Sequence, residues 1–270
     1  MRLPFAPIAI AALFAGALPV SVTAAPLRLG GTGGAIGMLQ QLGTAFTANS
    51  GIAVVVIPNL GSSGSIRALT EQKLDVVVSG RPLRPAEAAG GLTGAGALRT
   101  AYVMATSHPK PNGLKSAELA DIYKTASATW SDGTPIRIIL RPRSDSDTDL
   151  MGELFTGMRE AIEVARRRPD VPTAATDQDN ADMAERVKGS LTGTTATQIK
   201  TENRHLQAVP LDGVAPTFAN FESGTYRYTK KLYFIVRAAS GPDVTRFVEF
   251  VRSPEGLKLL REVEVLPEPQ

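Results

Sequence analysis

Small hydroxyl residues stand beside glycine in two short runs, Gly30-Gly31-Thr32-Gly33-Gly34 and Gly61-Ser62-Ser63-Gly64-Ser65. A third run, Arg141-Pro142-Arg143-Ser144-Asp145-Ser146-Asp147-Thr148, adds charge to the same chemistry. Hydroxyls donate hydrogen bonds, glycine lets a backbone approach closely, and arginine offers a planar fork of donors. These are the parts needed to hold a small oxyanion. Each run lies between a strand-like apolar stretch and a helical pattern. A helix N-terminus leaves N–H groups unpaired and carries partial positive charge, so it is a ready anion site. One such run says little, but three suggest a cage.

The elements that must position these runs follow from periodicity. Leu27 to Leu29 reads as a strand ending in the first run, and Ala35 to Asn49 as a helix with Ile36, Leu39, Leu42 and Phe46 at helical spacing. Ile52 to Ile57 and Leu74 to Val78 are continuous and β-branched, as in a parallel sheet covered on both faces. Ile66 to Gln72 reads as a short helix after the second run, and Ile136 to Leu140 as the strand that feeds the third. One helix is expected over Leu150 to Arg168, a polar loop over Asp170 to Asn180, and a short helix over Ala181 to Lys188. Tyr226 to Tyr228 and Lys231 to Val236 form a β-rich return. Two helices close the chain, Pro242 to Val251 and Pro254 to Glu262, each with Pro in its first turn. Strands alternating with helices mean an α/β protein. In such sheets ligands sit beyond the carboxyl ends of strands. The first two runs and Ser79-Gly80-Arg81 all fall there.

Composition narrows the class. The chain has 270 residues, no cysteine, two histidines and a formal net charge of +3. Disulfides and thiolate chemistry are excluded, and the charge is too mild to argue for nucleic acid. Arg2, the apolar stretch Ile8 to Leu18 and Val22-Thr23-Ala24 read as an export signal over residues 1–24, cut after Ala24. An uncleaved N-terminal anchor is the other reading. Removing that segment takes one Arg and leaves about +2 over roughly 245 residues, enough for one large domain or two small ones. His108 and His205 lack partners at metal-ligand spacing. No Gly-x-Ser-x-Gly elbow supports a serine hydrolase. Gly31-x-Gly33 is not completed to a dinucleotide fingerprint, because the third glycine comes at Gly37 and Pro58-Asn59 ends the next strand. No metal, cofactor or catalytic residue is expected. Trp130 is read as packing under a turn, and Tyr226 and Tyr228 as filling between lobes.

Taken in order, the motifs resemble the periplasmic phosphate-binding proteins of ABC transporters, within the type II solute-binding fold. The resemblance is carried by Gly61-Ser62-Ser63-Gly64-Ser65-Ile66, Leu74-Asp75-Val76-Val77-Val78-Ser79, Ile122-Tyr123 and Thr129-Trp130-Ser131-Asp132-Gly133. It continues through Asp212-Gly213-Val214-Ala215-Pro216-Thr217, Ser223-Gly224-Thr225-Tyr226 and Phe250-Val251-Arg252-Ser253-Pro254-Glu255-Gly256. It implies two lobes, each a mostly parallel sheet flanked by helices, joined by two crossover strands. The lobes would be 25–103 plus 229–270, and 104–228. It implies a monomeric protein, periplasmic or secreted, that does no chemistry. Such a protein captures phosphate or a similar oxyanion between its lobes for an inner-membrane permease. The alternative is an anion-sensing or interaction protein on the same fold.

Carried over by position, Thr32 and Ser62 donate hydroxyls to the anion, with Gly33 and Ser63 beside them. Arg141 supplies charge, and Ser146, Asp147 and Thr148 supply the third loop. Arg81 either reaches the cleft or braces the lobe interface. Two departures stand out. The family often carries an Asp one residue after the second-strand Ser, where this chain has Gly80. The third loop of the family reads Ser-Gly-Thr, where this chain has Ser146-Asp147-Thr148. Asp147 therefore either accepts a proton from the bound oxyanion or caps the following helix and points away.

Overall fold

The computed structural model describes residues 25–268, so the expected export signal lies outside the described residues. Three parallel strands open the chain. β1 (Leu27–Gly31) pairs with β2 (Val54–Ile57) on one side and β3 (Val76–Ser79) on the other. Between them run α1 (Ile36–Ser50), entered through a single 3-10 turn at Gly33–Ala35, and α2 (Gly61–Thr70). The second run is therefore not a loop before a helix. Its five residues form the helix's own first turns, entered at Gly61 with φ +63°.

After the short α3 (Pro85–Ala89) comes β4 (Leu92–Thr106), whose 15 residues span about 50 Å at ~3.3 Å per residue. Its first part, Thr93 to Ala97, has no apolar alternation to mark it as a strand. α4 (Leu119–Lys124) and β5 (Arg137–Ile138) follow, then α5 (Ser146–Leu154) and α6 (Met158–Arg166). The single helix expected over Leu150 to Arg168 is broken at Phe155–Gly157. Phe155 turns extended to pack its ring 5.1 Å from that of Tyr228, and Gly157, at φ 74°, starts the next helix. α7 (Asp177–Arg186) starts four residues earlier than the helix expected over Ala181 to Lys188, taking in the end of the expected polar loop from Asp177.

β6 (Ser190–Thr195) is wholly buried, though its sequence, Ser-Leu-Thr-Gly-Thr-Thr, is mostly polar. Its hydroxyls find internal acceptors: Ser190 donates to the Ala184 carbonyl at 2.7 Å and Thr192 to the Asn180 side chain at 2.7 Å. α8 (Ala196–Thr201), β7 (Gln207–Ala208) and α9 (Phe218–Glu222) lead to β8 (Thr229–Arg237). α10 (Pro242–Arg252), α11 (Pro254–Glu262) and β9 (Val265–Pro267) close the chain.

β4 and β8 are the crossover strands. They run antiparallel from Leu92↔Arg237 to Ala101↔Thr229, with a bulge at Gly94/Gly96. β8 joins β3 on its other side, and β4 continues past Ala101 to pair with β6. The sheet order is β2-β1-β3-β8-β4-β6-β5, with β7 and β9 also on β4. Two main cores flank it. One packs Leu29, Leu42, Phe46, Val78, Leu232 and Phe247 together, with Phe46 and Phe247 edge to face at 5.2 Å. The other gathers Tyr102, Tyr123, Trp130, Phe155, Phe221 and Tyr226. Among the described residues no helix is long and apolar enough to cross a membrane.

Candidate anion-binding cleft

The three runs do converge, around a cavity of about 340 Å³. Gly33, Ser62, Ser63, Arg81, Arg141 and Ser146 line it. Thr32, Asp147 and Thr148 do not reach its wall.

The α2 terminus is the open one. No side chain caps it, so its first N–H groups face the cavity. Ser62 is held in place because its Oγ accepts from the Gly80 N–H at 2.9 Å. That oxygen lies 3.4 Å from the Ser146 Oγ, across from the third run. Arg81 reaches the cleft, and its partners all lie within residues 25–103 rather than across the lobe interface. It donates to Ser63 Oγ at 3.2 Å and 3.3 Å, and forks onto Glu87 at 2.7 Å and 2.9 Å. That fork holds the Glu87 carboxyl below its ordinary range.

The third run is closed by its own acids. Asp145, not Asp147, caps α5: its carboxylate accepts the Asp147 N–H at 2.8 Å. Arg141, 5% exposed, donates to the Ala174 carbonyl at 2.8 Å and to Asp145 at 2.6 Å, with Asp177 at 3.7 Å. Burial would lower its pKa, but Asp177, Asp145 and Asp147 more than offset this and raise it. Only its Nε stays unpartnered. The Thr148 hydroxyl is spent on the Pro142 carbonyl at 2.9 Å, which explains its absence from the wall.

Asp147 points inward, onto a buried cation rather than into the cavity. Its carboxylate pairs with Lys230 of β8, and both side chains are essentially inaccessible. Lys230 also donates to Thr32 Oγ1 at 3.3 Å, which takes that hydroxyl out of the cavity. Neither reading of Asp147 from the sequence anticipates this, because the cation was missed. A signal existed: Lys230 shares strand parity with Leu232, Phe234 and Val236, the inward face of β8. Burial pushes the Asp147 carboxyl up to about 6; Lys230 pulls against that rise, while Asp177 and Asp145 add to it. Burial would lower the Lys230 pKa, but Asp147 and Asp177 outweigh it and raise it.

The first run is covered by the opposite wall. Gln178 donates to the Gly33 carbonyl at 3.1 Å and Thr195 to the Gly34 carbonyl at 3.0 Å. A Cβ on Gly33 would lie 2.5 Å from an Asp177 oxygen, so only glycine permits this approach. Elsewhere, His108 has a partner the sequence did not reveal. Its Nε2 lies 3.0 Å from Asp132, and its ring stacks on Trp130 at 5.2 Å. Among the described residues no cluster of three potential metal ligands occurs.

A family model described as the PBP superfamily domain matches residues 19–255. The chain belongs to that family. No curated protein sequence matches this PBP-superfamily chain significantly. Solved structures do. A protein from Clostridium perfringens, assigned as a phosphate ABC transporter substrate-binding protein and holding phosphate, aligns at 15% identity and TM-score 0.76. That alignment covers 91% of this chain and 100% of the other. An ABC-type phosphate transport receptor from Vibrio cholerae aligns at 16% identity and TM-score 0.62, over 90% and 100% of the two chains. A periplasmic molybdate-binding protein from Azotobacter vinelandii aligns at 14% identity and TM-score 0.59, over the same shares. At these identities the likeness establishes the two-lobed α/β fold.

Within that fold, this PBP-superfamily site has one open helix terminus, two opposed hydroxyls and two well-held guanidiniums. The arrangement can bind and orient an oxyanion.

Proposed function

We propose that this protein is a solute-binding protein that captures phosphate or a similar small oxyanion in the interlobe cleft and delivers it to an ABC-type permease. The lobes in this reading are 25–103 plus 229–270, and 104–228. The observation that carries it is the uncapped α2 terminus, with Ser62 facing Ser146 and both flanked by Arg81 and Arg141. The direct ligand set is then Gly33, Ser62, Ser63, Arg81, Arg141 and Ser146. Thr32, Asp147 and Thr148 support the site from behind. The solved structures of similar fold, one holding phosphate and one of a molybdate-binding protein, support the same assignment.

Nothing in this role requires a chemical step. Selection comes from matching donors to acceptors, since a buried polar group left unmatched costs ~1–3 kcal/mol. The protein is read as a periplasmic or secreted monomer whose lobes close around the ligand by a hinge motion. Titration calorimetry of the mature chain with phosphate, sulfate and molybdate tests the reading, and heat with none of them overturns it.

Anion sensing without uptake is the second reading. It is favoured by the internal pairing of Arg141 and Lys230, which leaves the cleft largely satisfied without a ligand. A permease gene beside this one would favour uptake.

A further inference from the structure

The innermost part of the site has no room for an ion. Lys230 and Asp147 already fill it, with Thr32 against the ammonium. Gly80 closes it from the β3 side: a Cβ there would lie 2.7 Å from Ser146 Oγ and 2.9 Å from Lys230 Cε. The usable space is the outer cavity, whose roughly 340 Å³ falls in the range that holds a small organic ligand. A bare tetrahedral ion, five heavy atoms, would leave much of it to water.

The outer wall carries a second charge feature. Arg67, on α2 beyond Ser62 and Ser63, and Arg84, after the β3 strand end, both line the cavity and are exposed. The carboxylates nearest to them in sequence are already engaged, Glu87 by Arg81 at 2.7 Å and Glu71 by Lys73 at 2.6 Å. Arg67 and Arg84 therefore face the cavity without an ion pair among the described residues. Deeper in, Arg141 keeps its buried Nε–H donor unpartnered; the Gln178 Oε1 beside it in the cavity lining is an acceptor and offers an anion nothing. Donor capacity thus remains at two separated places, one beside the Ser62–Ser146 gap and one at the mouth.

We propose that the cleft takes a singly substituted tetrahedral oxyanion with a second negative group, a small phosphorylated or phosphonylated acid. This rests on the oxyanion reading above and names the ligand class within it. The tetrahedral group meets the α2 terminus, Ser62, Ser63 and Arg141. The substituent runs outward along the lobe that carries Arg67 and Arg84, and its anionic end meets their guanidiniums, which suit carboxylate and phosphate alike. Asp149 and Asp177 lie on the opposing wall and keep the second anion off that side.

Calorimetry with inorganic phosphate, glycerol 3-phosphate and 3-phosphoglycerate separates the outcomes. The expected result is 3-phosphoglycerate binding at least tenfold tighter than either of the others. That preference should vanish in the Arg67→Ala/Arg84→Ala variant, whose exposed sites leave folding intact. Phosphate binding as tightly as 3-phosphoglycerate overturns the ligand class and leaves the oxyanion reading standing. Glycerol 3-phosphate matching 3-phosphoglycerate, or a preference that survives the double substitution, overturns the role of the two arginines. No binding of any of the three overturns both this inference and the function it rests on.

Discussion

Lys230 and Asp147 form an ion pair with neither side chain open to solvent, and the pair ties crossover strand β8 to the first turn of α5. Removing one partner of such a pair strands the other charge in a poorly solvating interior, at a typical cost of about 3–5 kcal/mol. Replacing both with uncharged groups avoids that penalty. Lys230→Met should therefore destabilise the protein by about 3–5 kcal/mol at pH 7, and Lys230→Met/Asp147→Asn should recover most of the loss. Urea unfolding of the wild type and both variants checks this. A double variant no more stable than the single one would mean the cost came from packing.

The pH dependence of stability carries a signature of the same residue. The folded-state pKa of Asp147 is raised from 3.8 to about 6. A carboxyl shifted upward favours the folded state below its unfolded pKa, and that contribution is lost as pH rises through the folded value. Asp147 should thus withdraw stability as pH rises from its unfolded value toward about 6. Measured against Asp147→Asn, the wild type should lose ground across that window. Parallel curves for the two proteins would place the raised pKa elsewhere.

Gly80, the residue after β3, sits against both Ser146 and Lys230. Gly80→Ala adds a methyl group where the nearest atoms would be 2.7 Å and 2.9 Å away. Ser146 can rotate, but Lys230 is held by its pair. The expected cost is about 1–3 kcal/mol from overpacking. Thermal unfolding should show a midpoint lower by several degrees, and an unchanged midpoint would mean Lys230 can swing aside.

Arg141 was expected to be a ligand group, and the structure gives it a second duty. Arg141→Ala should weaken phosphate binding by well over tenfold. It should also destabilise the free protein, because Asp145 and Asp177 lose their counter-charge. Arg141→Lys keeps the charge but not the fork, and should recover stability better than affinity. Calorimetry paired with unfolding curves separates the two effects.

Much of the α/β architecture was legible because its signals are local. The β-branched stretches at Ile52 to Ile57 and Leu74 to Val78, and the Pro-started helices near the C-terminus, declare themselves within a few residues. β6 did not, because its burial rests on hydroxyls finding acceptors on α7 and the neighbouring strand, which no short-range pattern encodes. The helix break at Phe155 was hidden for a similar reason, since its cause is an aromatic partner more than 70 positions away. At the site, Ser146-Asp147-Thr148 departs from the family pattern, and the sequence left Asp147 between proton acceptor and helix cap. Deciding which carboxylate caps and which is buried required Lys230, a residue 83 positions distant that falls just outside the strand read over Lys231 to Val236.

The two exposed arginines at the mouth also have a consequence in time. A charge that stands clear of its neighbours acts on an anion before any contact forms, over a reach set by the ~8–10 Å Debye length of physiological salt. Arg67 and Arg84 should therefore govern how often a dilute anion finds the cleft, before they touch it. Raising the ionic strength should slow capture.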